Sequence, residues 1–230
     1  MLCKDQVNHM IIKEPTLSYQ CPSCGCYYFS SSVVSYSVFS VDLYSDGSWD
    51  PHGHAGLWLT HCPRCHAYFS LSHLVRLSSP PKPAAGECYG FVDYYRNGCE
   101  SRYHVPFWHE AVAGGLFFPP SVDEDAREEE ELDARLWLWH ALNRHRDEHD
   151  EVFDESYYCA TCRMLIDRIE ATNDKHRLIL AELYRNLGEF SASLDMLHSV
   201  EDPQKHEALL QAIRRAAEEG NDRTVKLPPR

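Results

Sequence analysis

A chain of 230 residues that is 43% apolar and 25% charged has a globular composition and is long enough for one or two buried cores, which excludes a disordered or fibrous protein. No run approaches the roughly 20 apolar residues of a membrane helix, and Met1 to Glu14 lacks the apolar core and small-residue cleavage pattern of a signal peptide, so a cytoplasmic protein with no membrane partner is expected. The net charge of −13 sits almost wholly in residues 121–230, which carry 15 basic against 26 acidic side chains; with no basic stripe to displace counterions, nucleic acid is a disfavoured partner.

The first 20 residues, including Met10-Ile11-Ile12 and Leu17, lead an extended segment into Cys21-Pro22-Ser23-Cys24-Gly25. A second knuckle, Cys62-Pro63-Arg64-Cys65, follows after 37 intervening residues. A two-residue gap lets both sulfurs of a knuckle reach one ion from one tight turn, and Gly25 permits the positive φ such a turn needs. Four thiolates in two such pairs match a tetrahedral zinc ion, with Cys21, Cys24, Cys62 and Cys65 as its ligands. The same set could hold iron in a rubredoxin-type site; zinc is preferred because no electron-transfer context is visible. Cys26, His61 and His66 read as neighbours of the ligands. Four thiolates leave no position for water or substrate, so the zinc is expected to be structural. The paired spacing also places the ten cysteines in a reducing compartment rather than a disulfide scaffold.

Between the knuckles, Val34, Tyr36 and Val38 alternate with polar residues and Phe39, Val41 and Leu43 continue out of phase, which predicts a strand with a bulge near Val38. Ser45-Asp46-Gly47-Ser48 is the predicted turn and Gly56 to Thr60 the returning strand. Ala67 to Leu77 is apolar enough to pack beneath this module, and the prolines of Ser78 to Pro83 place a boundary near residue 80. Residues 81–120 form an aromatic-rich connector, read as an adhesive surface in preference to a ligand groove with His104, His109 and Glu110; Cys88 and Cys99 read as free thiols.

A helical module is expected over 121–220. Ser121 and Glu124 fit a capping box, the acidic run from Asp123 to Glu131 suits a helix N-terminus, and Leu132, Leu136, Trp139 and Leu142, broadened by Trp137 and Leu138, recur at helical spacing. His145-Arg146-Asp147-Glu148-His149 satisfies the His-x-x-Glu-His pattern of inverted zinc peptidases, which supports an alternative reading as a metal-dependent hydrolase using His140, His145, Glu148 or His149. Cys159-Ala160-Thr161-Cys162 lies on a helical stripe with Tyr158, Leu165 and Ile169, so Cys162 reads as core and a second metal or thiol site as the alternative. Leu178, Ala181, Tyr184 and Leu187 share a face that Gly188 closes, and Leu194, Leu197 and Val200 line the next helix. Asp202-Pro203 is read as the start of a last helix ending at Gly220, and 221–230 as a disordered tail.

Ala181-Glu182-Leu183-Tyr184-Arg185-Asn186-Leu187-Gly188-Glu189-Phe190, followed by Ser193, Leu194, Leu197 and Pro203, resembles one tetratricopeptide repeat. Together with the Cys-Pro-x-Cys knuckle, this is similar to uncharacterised bacterial zinc-ribbon proteins with a C-terminal tetratricopeptide-like segment. The resemblance implies an α+β chain, a zinc-ribbon β module on 1–80 followed by helices, and leaves activity open. The expected role is a non-enzymatic protein–protein interaction or scaffold protein; the alternatives are the hydrolase and a nucleic-acid-binding regulator acting through the ribbon.

Overall fold

The computed structural model describes residues 12–13, 17–30, 33–35, 41–51, 59–62, 64–73, 75–77, 90–91, 105–148 and 153–227. The described strands are β1 (Ile12–Lys13), β2 (Leu17–Gln20), β3 (Tyr27–Ser30), β4 (Val33–Ser35), β5 (Val41–Leu43), β6 (Trp49–Pro51), β7 (Leu59–His61), β8 (Tyr68–Ser70), β9 (Val75–Leu77) and β10 (Gly90–Phe91). The helices are α1 (Val105–Gly114), α2 (Glu124–Glu148), α3 (Glu155–Arg168), α4 (Asp174–Asn186), α5 (Phe190–His198) and α6 (Glu207–Glu218), and they hold most of the regular structure among the described residues. None of these helices is long and apolar enough to cross a membrane. The chain divides into two units: Met1–Val41, Pro51–Glu100 and Gly114–Glu128 form the first, Asp42–Asp50, Ser101–Ala113 and Glu129–Arg230 the second.

In the first unit, β2 pairs antiparallel with β3 and β9, and β10 lies parallel to β3, giving the order β10-β3-β2-β9. Strands β7 and β8 form a separate antiparallel pair, as do β1 and β4. Register puts a cysteine knuckle at the tip of each of two hairpins. Gln20 faces Tyr27 across Cys21–Cys26, and His61 faces Tyr68 across Cys62–Ala67. Leu116 bridges to Tyr68, and the Phe117 amide donates to the Tyr68 carbonyl at 2.7 Å, so the segment before α2 runs along β8.

Of the expected returning strand, Gly56 to Thr60, only Leu59 and Thr60 lie among the described residues. The expected turn at Ser45–Ser48 is present and its returning strand is β6. The reason is local. Gly47 has φ +78°, its amide donates to the Tyr44 carbonyl at 3.0 Å, and the Tyr44 amide donates to the Ser48 carbonyl at 3.0 Å, so the chain reverses at once. Leu59–His61 is a strand, yet its partner is β8. The bulge near Val38, the boundary near residue 80 and most of the aromatic connector lie outside the described residues.

In the second unit the middle of α2 buries one broad face, on which Ala134, Leu138, Trp139, Ala141 and Leu142 have almost no exposure, while Asp133, Trp137 and His140 lie on a more open side. Its first turn is capped by Asp123, whose carboxylate accepts the Ala126 amide at 2.8 Å, and not by Ser121 as the sequence suggested. Within the stretch read as connector stands α1, whose buried Trp108 stacks on Trp137 with ring centroids 5.7 Å apart. Helix α3 is capped by Asp154 and buries Tyr158, Cys162, Leu165 and Ile169, the stripe read from the sequence.

Helices α4, α5 and α6 close on a cluster of Leu178, Ala181, Leu197, Val200, Leu210 and Ile213. Helix α4 ends in a Schellman motif: the Gly188 amide donates to Arg185 and the Glu189 amide to Tyr184, with Gly188 at φ +73°. Helix α6 ends the same way, Gly220 donating to Ala217 and Asn221 to Ala216. Asp202 accepts the Lys205 amide at 3.3 Å as a cap would, but heads only a separate turn; α6 starts at Glu207.

The expectation of a disordered tail is corrected for Asn221–Leu227. The Leu227 amide donates to the Leu43 carbonyl at 2.7 Å, Ser45 and Val225 join through their backbones at 2.8 Å, and Tyr44 bridges antiparallel to Lys226. These residues supply backbone partners rather than an apolar stripe, which is why no periodicity announced them.

Candidate metal centre

The two knuckles are built alike. In the first, the Cys21 amide donates to the Cys26 carbonyl at 2.8 Å and the Gly25 amide to the Cys21 carbonyl at 3.0 Å. In the second, Cys62 donates to Ala67 at 2.9 Å and His66 to Cys62 at 2.8 Å. The residue after each second cysteine has positive φ, +72° at Gly25 and +57° at His66. Inside the second turn the Arg64 amide points at the Cys62 sulfur from 3.4 Å, the kind of donor that stabilises a thiolate.

These turns bring together the four predicted ligands. The sulfurs of Cys21, Cys24, Cys62 and Cys65 all lie within 4.8 Å of one another. Two edges of the cluster measure 3.9 Å, Cys21 to Cys65, and 3.7 Å, Cys24 to Cys62. Four sulfurs about 2.3 Å from one tetrahedral ion stand about 3.8 Å apart, so the donor set fits such an ion without rearrangement of these edges. Cys21, Cys62 and Phe69 form a buried cluster, with Phe117 and Ala67 packed against it, while Cys24 and Cys65 face solvent.

Electrostatics explain why the cluster calls for a cation. Burial pushes the Cys21 thiol up to about 12, against the amides of Cys24 and Ser23, and burial also raises Cys26 and Cys65. Cys24 moves down to about 6: burial there is outweighed by the Cys26 amide and by thiols that donate to its sulfur. Sulfurs this close cannot all ionise against one another. A metal ion held by Cys21, Cys24, Cys62 and Cys65 would take the place of the shared protons and stabilise the thiolates. Cys26 places its sulfur 3.2 Å from that of Cys62 yet falls outside the four-sulfur group. His61 stacks at 6.5 Å from His66 and 5.5 Å from Tyr68, beside the ligands.

Among the described residues the other candidates form no such group. His145 meets Phe153 edge to face at 5.8 Å, and His140 lies with Nε2 3.2 Å from the Asp46 carbonyl. His149 is outside the described residues, as are His104, Cys88 and Cys99. His109 packs edge to face on Tyr157. Cys162 is fully buried, and burial raises its thiol to about 12, whereas Cys159 is half-buried. Among the described residues the four cysteines are the group that could hold a metal.

The second unit also has a buried polar centre that no local residue pattern announces. Glu182 and Arg185, one turn apart on α4, pair with neither side chain exposed. Glu182 Oε1 accepts from Ser45 Oγ at 2.6 Å, and Arg185 Nη1 donates to the carbonyls of Asn221 and Arg223 at 2.5 and 2.7 Å. Arg146 repeats the theme, donating to Glu155 at 2.5 Å and to Asp222 at 2.8 Å across the face of Tyr158. Both arginines hold the C-terminal segment, so the centre is architectural.

No family model matches the chain, and no curated protein or solved structure does either.

Proposed function

We propose that this is a zinc protein whose first unit is a ribbon-type β module closed by Cys21, Cys24, Cys62 and Cys65, and that it works in the cytoplasm as a non-catalytic interaction or scaffold protein for another protein. The observation that carries the reading is the convergence of four cysteine sulfurs from two like-built hairpin tips. Zinc suits an all-thiolate tetrahedral set that asks for no redox change. When bound, the ion supplies cross-linking: it joins two turns that are 37 residues apart in sequence and contributes its binding free energy to folding. With all four positions taken by thiolates, none is left for water or substrate, which favours a structural role. The acidic second half favours a protein partner over nucleic acid.

Elemental analysis of the purified chain tests this. One zinc per chain is expected, unchanged by His145→Ala with His149→Ala and lost in Cys62→Ser together with the cooperative unfolding of the first unit. A second labile metal that disappears with the two histidines would replace the reading by the hydrolase. Salt-sensitive retention on immobilised nucleic acid would replace it by the regulator.

A further inference from the structure

The second unit contains a cleft of about 320 Å³ that a structural zinc protein does not require. That volume falls within the roughly 300–1,000 Å³ of small-molecule sites. Its walls come from four stretches of the chain: the β5–β6 turn, the middle of α2, α4, and the start of α6. Leu136, Trp137, Leu178, Ile179 and Leu209 make one side apolar. Trp137 is held in place by its stacking on Trp108, so a flat surface is preformed there.

The turn makes the other side polar, and two of its side chains are short of partners. Ser48 is only 2% exposed, lines the cleft, and its hydroxyl has no hydrogen-bond partner. A buried hydroxyl left in that condition is destabilising unless something else supplies the bond. Asp46, 3% exposed, lines the same wall. Its Oδ1 accepts the Ser48 amide and its Oδ2 the Asn143 side chain, both at 2.9 Å, and no salt bridge to it occurs among the described residues. A carboxylate has about four acceptor positions, so two are unused, and a buried carboxylate without a cation is costly. Asp133 and Lys175 on the walls carry opposite charges, and the remaining titratable groups there are His140, with Nε2 3.2 Å from the Asp46 carbonyl, and His206. With both imidazoles neutral, the surplus charge in the cleft is that of Asp46.

We propose that this cleft is a binding site for a small organic cation, an amine on a flat apolar body. The body lies against Trp137 and the leucine side, and the ammonium donates to the Asp46 carboxylate and the Ser48 hydroxyl. Neither wall includes a knuckle cysteine, so the proposal stands apart from the metal reading.

Isothermal titration of the full zinc-loaded chain with tryptamine and with indole-3-propionate, one ring system carrying opposite charges, tests it. Saturable binding of one tryptamine per chain is expected, with the acid binding at least tenfold more weakly. Ser48→Ala should weaken tryptamine roughly tenfold, the worth of a hydrogen bond to a charged group, with a thermal midpoint no lower than the parent's because an unpartnered hydroxyl has been removed. Ile179→Lys, which puts an ammonium into the cleft from a half-buried wall position, should abolish the binding. Equal affinity for the two probes, no saturable heat with either, or tryptamine binding untouched by both substitutions would overturn the proposal.

Discussion

Gly25 and His66 occupy matching corners of the two knuckles, and only the first lacks a Cβ. A left-handed backbone costs an ordinary residue about 1–2 kcal/mol, so the second knuckle carries a strain that the first avoids. A Cβ on Gly25 would meet nothing closer than the Gln20 amide at 3.5 Å, an ordinary contact, so its penalty is conformational and not crowding. Gly25→Ala is accordingly expected to destabilise the metal-loaded protein by about 1 kcal/mol, and His66→Gly to stabilise it by up to about 1 kcal/mol, the gain being reduced by the extra freedom of glycine in the unfolded chain. Urea midpoints at one fixed free metal concentration measure both. A stabilising Gly25→Ala would contradict the turn geometry.

Among the elements, α4 and the loop after α5 depend on one carboxylate. Asp174, at the first position of α4, accepts the amides of Glu201 and Asp202 at 2.9 Å each and the Arg177 guanidinium at 2.8 Å. Those amides, then the arginine, lower it from its ordinary value near 3.8 to about 2. A depressed carboxyl pKa contributes stability that is complete above the unfolded value and lost as pH falls through the folded one. Acid unfolding of the parent should therefore show a loss between about pH 4 and pH 2 that Asp174→Asn removes, with the variant the less stable of the two at pH 6. Parallel profiles for the two proteins would show that the carboxylate carries no linkage.

The same scale shows what could be read in advance. The knuckles were legible because ligand chemistry fixes residue type and spacing, and Gly188 and Gly220 because a Schellman turn demands positive φ. The α3 stripe was legible because burial imposes a helical period. Helix α1 was hidden: Val105–Gly114 contains a proline and aromatics on several sides, so it read as connector. The start of α2 was misplaced because Ser121 and Asp123 are both competent caps, and only packing selects between them. Pairs such as Ser45 with Glu182 leave no local signature at all.

For the whole molecule, the decisive feature is that the second unit is assembled from distant pieces. Removing residues 221–230 would strip Arg185 of two carbonyl acceptors and Arg146 of the Asp222 carboxylate, and would unpair Leu43. Arg185 keeps Glu182 and Arg146 keeps Glu155, so each buried guanidinium loses only part of its partners, and a chain ending at Gly220 is expected to lose about 1.5–3 kcal/mol in urea unfolding followed by helical circular dichroism. Stability within 1 kcal/mol of the parent would show the segment to be dispensable.

That layout also sets an order of events during synthesis. Ser45 leaves the ribosome 137 residues ahead of Glu182 and 180 ahead of Val225. At about 5–20 residues per second, the turn waits roughly 7–27 s for the helix that will receive its hydroxyl. Until then Ser45 is without the partners it has in the folded unit. Residues 221–227 emerge later still and complete the backbone contacts of the turn.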